Sequence, residues 1–174
     1  MIRTIGAIGA AMLLSLSVAT QAQSSAINDA QIAHVAYTAG QIDVDAGRQA
    51  LERSSNADVR AFAETMVRDH AAVNERALAL VQRLHVTPEA NSTSAALTAG
   101  AADAHRRLSA LEGATFDRAY LENEVAYHRA VNDALRSTLI PGAHNAELKS
   151  LLEAGLALFT AHQEHAEMLV RQLH

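Results

Sequence analysis

Taken in steps of three and four, the apolar positions of this chain fall into four long stripes and one short one, the spacing that lines side chains along one face of an α-helix. Ile32, Val35, Ala39, Ile42 and Ala46 form the first, behind Asn28 and Asp29, which offer a cap. Val59, Ala63, Met66, His70, Val73, Ala77, Leu80 and Leu84 form the second, opened by Ser55 and Asp58 at capping-box spacing. Leu121, Glu124, His128, Val131 and Leu135 form the third, with Thr115 as its cap and Pro141-Gly142 as its end. The fourth is Leu148, Leu151, Gly155, Leu158, His162, His165 and Leu169, capped by Asn145. Between the second and third, turn-forming residues from Val86 to Ser94 lead into the short stripe Leu97, Ala101, Ala104, Leu108 and Leu111, closed by Gly113.

The pattern predicts an all-α four-helix bundle, with helices over about 29–53, 56–85, 116–139 and 146–172 and a crossover helix over about 96–111. At 1.5 Å per residue the crossover spans roughly 25 Å, enough to carry the chain along much of the bundle between helices 2 and 3.

Ionisable residues interrupt these stripes, and burying them costs several kcal/mol unless each finds a hydrogen bond, an opposite charge or a metal. Counted from the turns, Asp43 and His70 differ in height by roughly 4.5 Å, and Glu124 and His162 by roughly 3 Å, with His128 about one turn away. All five fall near mid-height, and His165 falls one turn off. Asp43 stands beside its stripe, next to Ile42, and taken alone reads as a solvated acid. Three histidines and two carboxylates at one height are the arrangement in which bundles hold metals, and without sulfur they suit zinc, copper(II), manganese or iron. A hydrogen-bonded layer that only fixes helix register, in a structural or interaction module of the envelope, fits the same pattern. His34, His85, His105, His144 and His174 lie off the stripes or at ends and read as surface residues.

Composition narrows the class. One cation, Arg3, precedes an apolar run from Ile5 to Ala19 and then small residues at Thr20 and Ala22, the layout of a secretory signal peptide cleaved after Ala22. The run is shorter than the ~20 residues of a spanning helix, and nothing else in the chain is apolar enough to span. Residues 1–22 are therefore expected to be a leader and 23–174 one bundle domain, soluble in the periplasm or associated with the outer membrane. The formal net charge is −5. Without a basic run, nucleic acid is excluded as a partner. The absence of cysteine excludes disulfides and thiolate metal sites, whereas histidine occurs nine times.

The segments VRAFAETMVRDH and LEGATFDRAYLENEVAYH, and a final helix with His162 followed by Ala166 and Leu169, resemble the exported bacterial proteins of domain of unknown function 4142. The resemblance covers nearly all of the chain after the leader. It implies a ferritin-like bundle in the cell envelope, with the family's histidines at His70, His128 and His162 and its helix-1 acid, commonly glutamate, at Asp43. It implies no established activity. Di-iron carboxylate bundles carry Glu-x-x-His on two helices, whereas Val67 stands three before His70 and the last helix reads His162-Gln163-Glu164-His165, so ferroxidase-type chemistry is not expected.

Overall fold

A computed structural model of the protein describes residues 27–173; the leader expected over 1–22 lies outside the described residues. The structure is all-α, with no strand among the described residues. Its elements are α1 (Asp29–Arg53), α2 (Ala57–Arg83), α3 (Ser92–Ser109), α4 (Gly113–Ala134), a π-helical turn (Leu135–Leu139), the short α5 (Ile140–Gly142) and α6 (Ala146–Gln172). Helices α1 and α2 form one antiparallel hairpin, α4 and α6 a second, and α2 packs on α6. The crossover α3 runs lengthwise beside α1. Its start is tied to α1's first turn by Asn91 donating to the Gln31 carbonyl, and its end by Gln49 and Arg53 donating to Ser109.

The helix ends follow capping chemistry, in places one or two residues from the sequence expectation. Asn28 makes a capping box with Gln31, and Asn145 accepts from the amides of Glu147 and Leu148. At α2 the cap is Asn56, not Ser55: its side-chain oxygen accepts from the Asp58 and Val59 amides. Thr115 lies inside α4; the chain enters that helix through Glu112 and through Gly113 at φ +54°, a left-handed step that glycine takes without strain. α3 starts earlier than its stripe, at Ser92, since Asn91 and Ser94 form a capping box there. Upstream of Pro141, which has no amide to donate, the helix widens into a π turn in which the Ile140 amide bonds to the Leu135 carbonyl.

Two stripes are rotated from expectation. In α6 the buried residues are Leu148, Leu152, Gly155, Phe159, His162, Ala166 and Leu169, so Phe159 and Ala166 take the places assigned to Leu158 and His165. In α1 Asp43 is buried, not solvated, and Ile42 turns toward α3. The rotation follows from small residues: Gly40 and Gly47 let α1 approach α2 so closely that a Cβ at Gly47 would lie 2.8 Å from Val67 Cγ2.

The core divides in two. Ile32, Val35, Leu80, Leu135, Leu148, Leu152 and Phe159 belong to one apolar cluster, and Ala50, Val59, Phe62, Met66, Phe116, Tyr120, Leu121 and Leu169 to another. On every long helix of the bundle the chain passes from one cluster to the other through a polar position: Asp43, His70, Glu124 with His128, and His162.

A candidate metal centre at mid-height

That layer is a cluster of ionisable side chains that apolar packing does not explain. Asp43 and His128 are 1% and 0% exposed, and His70, Glu124 and His162 are also buried. The three imidazole centroids form a nearly equilateral triangle, with His70–His128 at 5.5 Å, His70–His162 at 5.3 Å and His128–His162 at 5.5 Å. One ligand nitrogen from each of these histidines lies within 4.8 Å of the others, and the same holds for ligand atoms of Asp43, Glu124 and His128. His128 therefore belongs to both groups. Asp43 Oδ2 lies 3.2 Å from His70 Nε2 within the first hairpin and 3.5 Å from His128 Nε2 across to the second.

Neighbours assign the protons. His128 Nδ1 sits 3.0 Å from the Glu124 carbonyl oxygen, which only accepts, so Nδ1 donates and Nε2 keeps its lone pair. His162 Nε2 sits 3.1 Å from Asp69 Oδ2, leaving Nδ1 free. Asp69, against the opposing pull of its partial burial, is held below the usual carboxylate range by hydrogen bonds from Arg68 and His162. It is thus an ionised acceptor that orients the ring. Seven atoms of the layer are buried without a hydrogen-bonding partner: Asp43 Oδ1, both nitrogens of His70, both carboxyl oxygens of Glu124, His128 Nε2 and His162 Nδ1.

Burial sets the charge states. It pushes His70 down to about 2 and His128 down to about 4, each with help from neighbouring imidazoles, and it lowers His162. All three rings are neutral at pH 7, the form that ligates a metal. Burial raises Glu124 to about 7, and burial together with the charge of Glu124 raises Asp43 well above its ordinary value. The pair therefore holds a proton more tightly than free carboxyls do, and a bound cation would displace it.

One side of the layer is sealed by Phe159, stacked on His70 at 4.5 Å and 9°. The next layer toward the Leu148 end holds Asn74 and Asn132, both buried, with Asn132 donating to Gln163. Tyr127 ties α4 to α1 by donating to the Ala39 carbonyl. His165 does not join the layer: it is half-buried, with its ring against Phe62 at 5.3 Å, because the α6 face is rotated toward Ala166. Sequence reading missed Asp69 by counting only the stripe that faces the bundle axis. The signal was its place beside His70, one position round α2 toward α6.

A sequence profile of a domain of unknown function (DUF4142) matches residues 14–169. Among solved structures, the chain resembles a protein of Streptomyces coelicolor that carries DUF305 and is taken to be secreted, at TM-score 0.59 and 14% identity, over 82% of this chain and 87% of that one. No curated protein matches.

Proposed function

The chain belongs to the family of domain of unknown function DUF4142, and from that footing we propose that it is an exported bundle protein that binds one divalent transition-metal ion through His70, His128 and His162. The carrying observation is the imidazole triangle. An ion bonded to an imidazole nitrogen at ~2.1 Å lies ~3.2 Å from the ring centroid. The centre of a triangle with the observed sides lies ~3.1 Å from each centroid, so the rings stand at the separation such an ion requires.

Magnitudes support the same reading. Seven buried polar atoms without partners, at about 1–3 kcal/mol each, would rival the 5–15 kcal/mol by which a whole domain is stable. One ion with His70, His128, His162, Asp43 and Glu124 around it would satisfy most of them together. Because His128 has a single free nitrogen, it can serve one ion only, which favours a mononuclear centre over a paired one. Asp69 and the Glu124 carbonyl would hold His162 and His128 from behind, as outer-shell acceptors do for metal-bound histidines. Imidazole-rich, sulfur-free donors favour zinc or copper(II) over manganese or iron.

Export rests on the leader pattern at residues 1–22 and is in keeping with a structural neighbour taken to be secreted. No helix among the described residues is long and apolar enough to cross a membrane. The test is elemental analysis of untagged protein recovered from the periplasm, with mass spectrometry of its N-terminus. About one equivalent of metal, lost in His128→Ala, and an N-terminus at Gln23 are expected. Protein without metal before and after dialysis against zinc or copper(II) would leave the layer as a polar network that fixes helix packing.

A further inference from the structure

The crossover α3 is fastened at its ends and stands off in its middle. At one end the Glu89 amide donates to Ala30 and Asn91 to Gln31; at the other Gln49 holds the His105 carbonyl and Arg53 the Leu111 carbonyl. Of its eighteen residues, Ser94 and Leu108 alone are buried. Beneath the middle lies a cleft of about 690 Å³ between α3, α1 and α4. Its walls are mostly small or apolar, among them Ile42, Ala46, Leu97, Ala101, Ala104 and Ala126. Gln49, His105, Arg107 and Asn123 are its polar members. Asp43 and Glu124 also line it, as its deepest groups: each is 1% exposed, and Asp43 Oδ1 and both Glu124 oxygens have no partner.

We propose that this cleft binds a small uncharged organic molecule, its apolar body along the alanine and leucine walls and a hydroxyl head against the carboxyl oxygens of Asp43 and Glu124. The volume falls within the roughly 300–1,000 Å³ of small-molecule sites, and apolar walls with a few convergent polar groups are their usual lining. The floor selects the head. Asp43 Oδ1 and both Glu124 oxygens are buried acceptors at the floor without partners, which suits a hydroxyl group that donates to them. An anion would meet acids in a desolvated cleft, and an ammonium group would shed its hydration against alkyl walls. The opposite side of the layer is closed by Phe159, so a molecule reaching these carboxyls comes by the α3 side.

The site can be read without metal. The chain has no tryptophan, so 2-naphthol fluorescence can be followed on chelated protein against little background. Expected are saturable binding of 2-naphthol at least about tenfold tighter than 2-naphthoate, and a loss of about tenfold or more in both Ala101→Phe and Ala104→Phe, which fill the cleft from half-buried positions of α3 that line it. Glu124→Leu should bring 2-naphthol down to the affinity of naphthalene. Circular dichroism identifies any variant that fails to fold, and the remaining filling variant then decides. Absent saturable binding, equal affinity for the naphthoate, or undiminished binding in a folded filling variant overturns the proposal. Metal content measured on unchelated samples of the same preparations reports separately on the metal centre.

Discussion

His128→Ala separates the contribution of a bound ion from that of packing. In metal-free protein the substitution opens a cavity among His70, His162, Phe159 and Tyr127, whose rings lie 5.5–6.3 Å from that of His128. Large-to-small core changes cost about 2–5 kcal/mol. The same change removes Nε2, a buried nitrogen already without a partner, which relieves about 1–3 kcal/mol. The two partly offset, and the chelated variant should fall between about 1 kcal/mol above and about 4 kcal/mol below the chelated wild type. Metal acts only on the wild type. With free ion a hundredfold above its dissociation constant, linkage contributes about 2.7 kcal/mol. For a bundle of this size that is a rise in Tm of about 5–10 °C. Thermal unfolding followed by circular dichroism, with chelator and with zinc or copper(II), reads both numbers. If metal raises the Tm of His128→Ala as much as that of the wild type, the triangle is not the binding site.

Three further outcomes follow from particular contacts. Asp69→Asn leaves the layer intact but weakens the acceptor that orients His162, so metal affinity in a chelator competition should fall about 10–100-fold; unchanged affinity removes Asp69 from the centre. Gly47→Ala puts a Cβ 2.8 Å from Val67 Cγ2 and 3.0 Å from the Ala63 carbonyl and should cost about 1–3 kcal/mol in urea unfolding, whereas Gly100→Ala, which meets nothing within 4 Å, should stabilise α3 by up to about 1 kcal/mol. Burial holds His70 at about 2 in the folded protein, against the ordinary imidazole value of about 6.5 in the unfolded chain, so below pH 6.5 the unfolded chain takes up a proton that the folded one refuses; relative to His70→Gln, chelated wild type should lose about 1.4 kcal/mol per pH unit on acidification toward pH 3, and a flat difference refutes the burial assigned to this ring.

The bundle was legible because amphipathic periodicity is repeated over many turns, so errors at single positions average out. The five layer residues were legible by height alone, since 1.5 Å per residue fixes level far better than it fixes rotation. Rotation is where the reading slipped. A face one step round a helix differs by a single residue, and in α6 Leu158 and Phe159, or His165 and Ala166, are equally acceptable to a periodicity count. The structure chooses Phe159 because its ring stacks on His70, a contact between helices that no local pattern carries. Asp43 slipped for the same reason: Gly40 and Gly47 draw α1 against α2 and turn the carboxylate inward. The cleft under α3 left a compositional trace in its run of alanines, but small residues also read as ordinary helix filler. The cleft shows only in the packed structure, where α3 is tied to α1 at its ends and space remains beneath its middle.

The division of ligands between hairpins bears on what the layer does for the fold. Asp43 and His70 come from the first hairpin, Glu124, His128 and His162 from the second, and the 3.5 Å approach of His128 to Asp43 exists only when the two are docked. Each hairpin can bury apolar surface against the other through the two clusters on either side, yet at mid-height docking brings together groups that lose water without gaining a full set of partners. An ion held from both sides would reverse the sign of that local term, because its ligands are assembled only in the docked state. The crossover strengthens the argument: a connection as long as the bundle makes docking of the hairpins a non-local step, with loop-closure entropy to overcome before the apolar clusters meet. A polar layer that favours docking only when loaded would therefore make the folded lifetime of the bundle depend on metal, while leaving each hairpin's own packing unchanged.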